Sequence, residues 1–182
     1  MPLPLPPTET IPTLSTDRLL LRSFRPEDAV EFAALHQDPA FYRFLGGKPH
    51  SAEDVWRRML CHRGHWSWLG YGYWAVEEKA TGRFSGAVGF AELHRDLTPS
   101  IAGVPEAGWV LAPRLHRGGY GTEAVAAIVA WGDAHFGNSP TVCIIDPENV
   151  ASLALAAKFG YQEIARPIYH DAPIVLLERV AR

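Results

Sequence analysis

The sequence predicts a mixed α/β domain, with a central sheet of about seven strands flanked by about four helices. Three observations lead to this class. YWAVEE (Tyr73 to Glu78) and FSGAVGFAELH (Phe84 to His94) are strand-like runs joined by the turn Lys79-Ala80-Thr81-Gly82-Arg83, which reads as a hairpin. Thr122 to Phe136 places Val125, Ile128, Val129, Gly132 and Phe136 on one helical stripe. TVCIID (Thr141 to Asp146), an alanine-rich helix over Asn149 to Phe159 and two closing strands complete a strand–helix–strand unit with a terminal pair.

The remaining elements follow in order. RLLLRSF (Arg18 to Phe24) alternates as a strand does. Pro26, Glu27 and Asp28 open a helix, because proline suits the first helical position and acids favour the positive end of the helix dipole. Asp38-Pro39 is expected to end that helix. Ser51 with Asp54 caps a further helix carrying Val55, Trp56, Met59 and Leu60, and Gly64 to Gly72 reads as an aromatic loop. EAGWVLA (Glu106 to Ala112) is a strand stopped by Pro113, and Gly137-Asn138-Ser139-Pro140 stops the long helix. Gly86 and Gly89 inside the hairpin suggest a bulge or close packing. Strands near Gln162 to Tyr169 and Ile174 to Arg179 close the sheet.

Composition narrows the function classes. The chain has 182 residues, 47% of them hydrophobic, enough for one domain (14–182) with a sizeable core. A net charge of −3 gives no support to non-specific nucleic-acid binding. No apolar run reaches the roughly 20 residues of a membrane-spanning helix. Two cysteines, Cys61 and Cys143, stand far apart, which fits a reducing, cytoplasmic setting. The proline-rich stretch 1–13 lacks the basic start of a signal peptide and is expected to be a flexible leader.

LHRGGYGTEA (Leu115 to Ala124) carries the chemistry. Three glycines within four residues precede the long helix, whose first N–H groups are unpaired and electropositive. Glycine there lets a phosphate approach bare backbone. A P-loop would need Gly-Lys-Ser/Thr, and here Thr122 and Glu123 follow Gly121. GYGTEA fits the dinucleotide fingerprint by letters, with Asp146 as the ribose acid, but Pro113 to Gly118 separate it from the preceding strand. The third reading is the pyrophosphate loop of an acyl-CoA transferase.

At these residues the chain resembles the GNAT superfamily of acetyl-CoA-dependent N-acetyltransferases. His116-Arg117-Gly118-Gly119-Tyr120-Gly121 matches the family's Gln/Arg-x-x-Gly-x-Gly/Ala loop, with His116 in place of Gln/Arg. STDRLLLR, EAGWVLAP, GGYGTEA, NVASLALAAKFGY and LLER are similar, in that order, to the branch acetylating ribosomal-protein N-termini, the RimJ/RimL type. The resemblance implies a mostly antiparallel sheet whose fourth and fifth strands (EAGWVLA and TVCIID) splay apart to admit the pantetheine arm.

It implies further that backbone amides of Arg117, Gly118, Gly119, Tyr120, Gly121 and Thr122 cradle the pyrophosphate. Trp109, Val110 and Leu111 would pair with the pantetheine, and Asn149 and Ser152 would contact the cofactor. Glu106 is the candidate general base, acting through water. The acid that many relatives carry on the fifth strand is replaced by Ile144, and the tyrosine that protonates the leaving thiolate by Ala156.

The expected function is transfer of acetyl from acetyl-CoA to a primary amine, a protein N-terminus or a small-molecule amine, by direct attack in a ternary complex. No metal, nucleic acid or membrane is expected to take part, and the enzyme would be a monomer or homodimer. A non-catalytic acyl-CoA-binding module and a dinucleotide-binding oxidoreductase are the alternatives. The aromatic cluster Trp56, Trp66, Trp68, Tyr71, Tyr73 and Trp74 lines an acceptor groove or packs a core, the latter expected of Trp56 and Trp74. Cys61-His62-Arg63-Gly64-His65 fits no standard zinc spacing.

Overall fold

A computed structural model describes residues 11–180. The strands are β1 (Leu14–Ser15), β2 (Leu19–Arg22), β3 (Tyr73–Glu78), β4 (Arg83–Ala91), β5 (Glu106–Leu111), β6 (Thr141–Ile145), β7 (Gln162–Ala165), β8 (Ile168–Tyr169), β9 (Ala172–Pro173) and β10 (Val175–Arg179). The helices are α1 (Asp28–Leu35), α2 (Pro39–Tyr42), α3 (Ala52–Leu69), α4 (Tyr120–Phe136) and α5 (Val150–Lys158). Eight strands form the main sheet in the order β1-β2-β3-β4-β5-β6-β10-β7, and β8-β9 is a separate ribbon.

Every pairing in the main sheet is antiparallel except β5–β6. That pair is joined only at Glu106↔Val142 and then parts, so the expected splay is present. A single parallel contact also rules out the doubly wound parallel sheet of the dinucleotide reading. Asp146, its proposed ribose acid, instead accepts from the Glu148 N–H at 2.8 Å and shapes the turn before α5.

Strand alternation divides the core into two layers. Leu19, Leu21, Trp74, Val76, Val88, Phe90, Ala107 and Leu111 face α4, which contributes Ala124, Val125, Ile128 and Val129. Ala75, Phe84 and Ala87 face the other way, onto Phe32 of α1, Phe41 of α2, and Val55 and Met59 of α3. Arg22, buried at the end of β2, forks onto both Asp28 oxygens at 2.8 Å and onto Glu77 at 2.6 Å, tying the start of α1 to the sheet.

Three local expectations change. Asp38-Pro39 does not merely end a helix: Asp38 accepts from the Ala40 N–H at 2.9 Å and so caps α2, with Pro39 at its first position. The capping box of Ser51 and Asp54 starts α3 as expected, but α3 runs through Gly64 to Leu69. A mid-helix glycine costs only about 1 kcal/mol, and burial of His65 and Trp66 outweighs it. The left-handed Gly70, at φ 72°, is the true stop. Trp56 is 42% exposed rather than packed, whereas Trp74 is fully buried.

Of the expected leader, residues 1–10 lie outside the described residues. Residues 11–13 are docked: Ile11 packs against the core, and the Pro12 carbonyl accepts from the Trp74 indole N–H at 2.7 Å. No described helix is long and apolar enough to cross a membrane.

Candidate active site

The glycine loop joins β5 to α4. Gly119 is the N-cap of α4 at φ 79°, a conformation that a residue with a Cβ resists, and no side chain caps the helix. Among the described residues, no backbone N–H from Arg117 to Thr122 donates a hydrogen bond. Six consecutive unpartnered donors at the positive end of a 17-residue helix are a site for an anion. The residues present therefore fit a diphosphate.

A clamp from the start of the chain holds this loop. Arg18 donates to Glu123 at 2.7 Å and to the Gly118 carbonyl at 2.8 Å, and its guanidinium lies 4.0 Å above the Tyr120 ring. The Arg18 N–H and the Thr16 hydroxyl also donate to Glu123, at 2.7 and 2.6 Å. Burial would raise the Glu123 carboxyl, but these donors outweigh it and hold it below its ordinary range. The one acid in the first turn of α4 is thus neutralised where a phosphate would otherwise meet a negative charge. His116 adds a second tether, its Nε2 lying 3.0 Å from the Leu111 carbonyl.

The splayed edge of β5 can be read from its partners. Ala112 donates to Ser85 on the β4 side, and a Cβ built on Gly86 would fall 2.1 Å from the Val110 carbonyl oxygen. Alternation then turns the polar backbone groups of Gly108 and Val110 to β4, and those of Ala107, Trp109 and Leu111 to the cleft. Val110 therefore differs from its expected role: its backbone serves the sheet, and its side chain packs with Ala75 and Ala87. The backbone groups of Trp109 and Leu111, with those of Ala107, lie on the edge turned away from β4.

Asn149 and Ser152 come together with Trp109. The Asn149 side chain caps α5 by accepting from the Ser152 N–H at 3.2 Å, and the Trp109 indole donates to Ser152 Oγ at 3.3 Å. This chain of contacts bridges the cleft from β5 to α5. Ala156 is fully buried in the core, where the usual tyrosine would stand.

The opposite face of β5 is built from side chains. Glu106 is 6% exposed, and both of its oxygens accept from Arg95, at 2.6 and 2.8 Å. Arg95 also donates to the Tyr169 hydroxyl at 3.0 Å. Burial alone would lower the Arg95 pKa, but Glu106 and then Tyr169 outweigh it and hold it above the ordinary range. Tyr73 lies across Gly108, where a Cβ would fall 1.7 Å from its hydroxyl oxygen. Burial, with Glu106 adding to it, raises the Tyr73 pKa, so the phenol keeps its proton at neutral pH and offers a donor at the middle of β5. The His62 ring stacks on Tyr73 at 4.5 Å, and Arg58 sits one turn earlier on α3.

Sequence reasoning missed Arg95, Tyr169 and Arg58, because nothing in their local pattern marks them. Arg18 and Glu123 lay in quoted motifs, but pairing across 105 residues has no local signature. In the Cys61–His65 stretch, His65 is structural: Nδ1 lies 2.9 Å from the Cys61 carbonyl and Nε2 3.0 Å from that of Glu92.

Comparison with known proteins agrees with this geometry. Residues 18–162 match the family model described as an acetyltransferase (GNAT) domain. The chain is 31% identical over 172 residues to YkkB of Bacillus subtilis, covering 91% of this chain and 94% of that protein. A Bordetella pertussis protein assigned to the GNAT-family acetyltransferases superposes with a TM-score of 0.82 at 27% identity, covering 93% of this chain and 99% of that one. The fold is shared with the spermidine N-acetyltransferase of Vibrio cholerae, solved with CoA and spermine, at a TM-score of 0.69 and 13% identity, covering 91% and 96% of the two chains. The glycine loop, the parted strands and these matches agree, and the chain belongs to the GNAT family of acetyltransferases.

Proposed function

We propose that this acyltransferase moves acetyl from acetyl-CoA to a primary amine, either a peptide N-terminus or a small-molecule amine. The observation that carries the reading is the run of unpartnered amides from Arg117 to Thr122, set beside a strand whose cleft edge has no strand partner beyond Glu106. The loop amides hold the diphosphate, and Ala107, Trp109 and the Leu111 N–H face the pantetheine arm, while His116 holds the Leu111 carbonyl. Acetyl-CoA supplies the activated acyl group. The amine nitrogen attacks the thioester carbon, the carbon–sulfur bond breaks, and the thiolate takes up a proton as the nitrogen loses one.

A strand amide facing the cleft polarises the thioester carbonyl. Alignment of amine and thioester supplies much of the remaining acceleration. The expected direct role of Glu106 as base would require the Arg95 fork to open, so we assign Glu106 to holding Arg95 and place the nitrogen's proton on water. RimL, solved with CoA, shares the fold at 15% identity and a TM-score of 0.73, which supports the cofactor and leaves the ribosomal-protein acceptor as one candidate. The free Cys61 and Cys143 fit a cytoplasmic setting.

Titration calorimetry with CoA and acetyl-CoA tests the reading. Micromolar binding is expected, and no heat at millimolar ligand would end it. Thiol release with an amine panel then separates an enzyme from a binding module.

A further inference from the structure

Among the described residues, every arginine but two makes a hydrogen bond or ion pair within the protein. One exception, Arg117, is exposed in the glycine loop, where a phosphate would meet it. The other is Arg58, half-buried on α3 and one turn from the His62 that stacks on Tyr73. It lies close enough to Arg95 and Asp54 to feel their charges, beside the neutral Tyr73 and Cys61, and close enough to His36, His50 and His62 to lower their proton affinity.

No protein carboxylate is left for it. Glu106 gives both oxygens to Arg95. Asp54, one turn before Arg58, is engaged by the Ser51 N–H and hydroxyl at 3.1 and 2.6 Å. The surrounding histidines supply no negative charge, and the buried Nδ1 atoms of His36, His50 and His62 have no partners. Arg58 and Arg95 against Glu106 leave this face of β5 with one guanidinium that no carboxylate pairs with directly. Taking a cation out of water without a counter-ion is costly, and the cost is recovered when a ligand brings the anion.

The cofactor is the wrong source of that anion. Its diphosphate belongs beyond Leu111, at the far end of β5 from Glu106, and six strand residues span about 17 Å.

We propose that the acceptor amine carries a carboxylate and that Arg58 binds it. This rests on the transferase reading and names its substrate class. The planar guanidinium fork matches a carboxylate. Held there, the acceptor directs its amine toward Tyr73 and the middle of β5. A polyamine is correspondingly a poor acceptor.

The test is thiol release from acetyl-CoA by the full chain. The probes are each L-amino acid beside its C-terminal amide, Ser-Glu-Ala-amide beside Ser-Gln-Ala-amide, and spermidine. At least one acid is expected to exceed its neutral counterpart about tenfold or more in kcat/KM, as a charge-assisted pair gives, with spermidine below both. Which pair responds distinguishes a free amino acid from an acidic peptide. Arg58→Gln is expected to abolish the difference through KM while CoA affinity stays within about twofold, and Arg58→Lys to restore part of it. The proposal is overturned if neutral counterparts or spermidine are used equally well, if R58Q weakens both members of a pair alike, or if no carboxylated amine is acetylated. CoA calorimetry on the same samples reports separately on the transferase reading.

Discussion

The two sides of β5 offer a ligand different kinds of groups. On the cleft side, the candidate binding groups are main-chain N–H groups between Arg117 and Thr122, and they are contiguous in sequence. On the other side, Arg58, Tyr73, Arg95, Glu106 and Tyr169 come from α3, β3, a loop, β5 and β8. Backbone recognition demands glycine and a left-handed turn, and so writes itself into a short motif. Side-chain recognition demands only proximity, which the fold supplies from any part of the chain.

Acid should separate the two sides most sharply. Burial first, and then the charge of Arg58, pulls His36 down to about 4 and His62 to about 3, and burial also lowers His50, all from an ordinary 6.5. Below pH 6.5 the unfolded chain therefore binds protons that the native state refuses. The contribution of the neutral His36 and His62 rings is intact above pH 6.5 and is lost as the pH falls toward 4, by about 1.4 kcal/mol per pH unit for each of the two. Melting curves followed by circular dichroism should fall steeply across that window. His36→Phe, in a pocket of Phe32 and Phe41, should flatten the slope; an unchanged slope would mean that His36 is protonated in the folded state.

Breaking the buried fork comes next. Glu106→Gln leaves Arg95 without its counter-charge and should cost about 3 kcal/mol of stability, with CoA affinity nearly unchanged. If Glu106 is instead the base, E106Q will remove the acid limb of the pH–rate profile with little loss of stability.

On the cleft side, Gly119→Val should weaken CoA about 100-fold, or about 2.7 kcal/mol, because the side chain is strained at φ 79° and its Cβ meets Arg18 at 3.4 Å. Arg18→Ala releases Glu123 toward the diphosphate and should cost about tenfold in CoA affinity, with Glu123→Gln recovering part of it in the double variant. Gly121→Ala sharpens the contrast. Its Cβ meets only Leu155, at 3.5 Å, so calorimetry should show less than about a threefold change.

Local pattern revealed much of the fold. The capping box at Ser51, the hairpin of β3 and β4 and the stripe on α4 follow from hydrogen-bonding residues and periodicity that act over a few positions. The length of α3 did not, because burial of Trp66 against Trp74 and Trp131 overrides the glycine at 64. The motif position of Val110 points to the pantetheine, yet strand alternation gives its carbonyl to β4, and that parity depends on the partner strand.

What the sequence alone determined is whatever short-range physics specifies: the elements, the glycine turn before α4 and the family that turn implies. Only the tertiary structure decided which backbone groups of β5 face β4, the Arg18–Glu123 clamp and the unpaired guanidinium of Arg58. Each depends on groups far apart along the chain, whose interaction energy arises only when packing brings them within a few ångströms of one another.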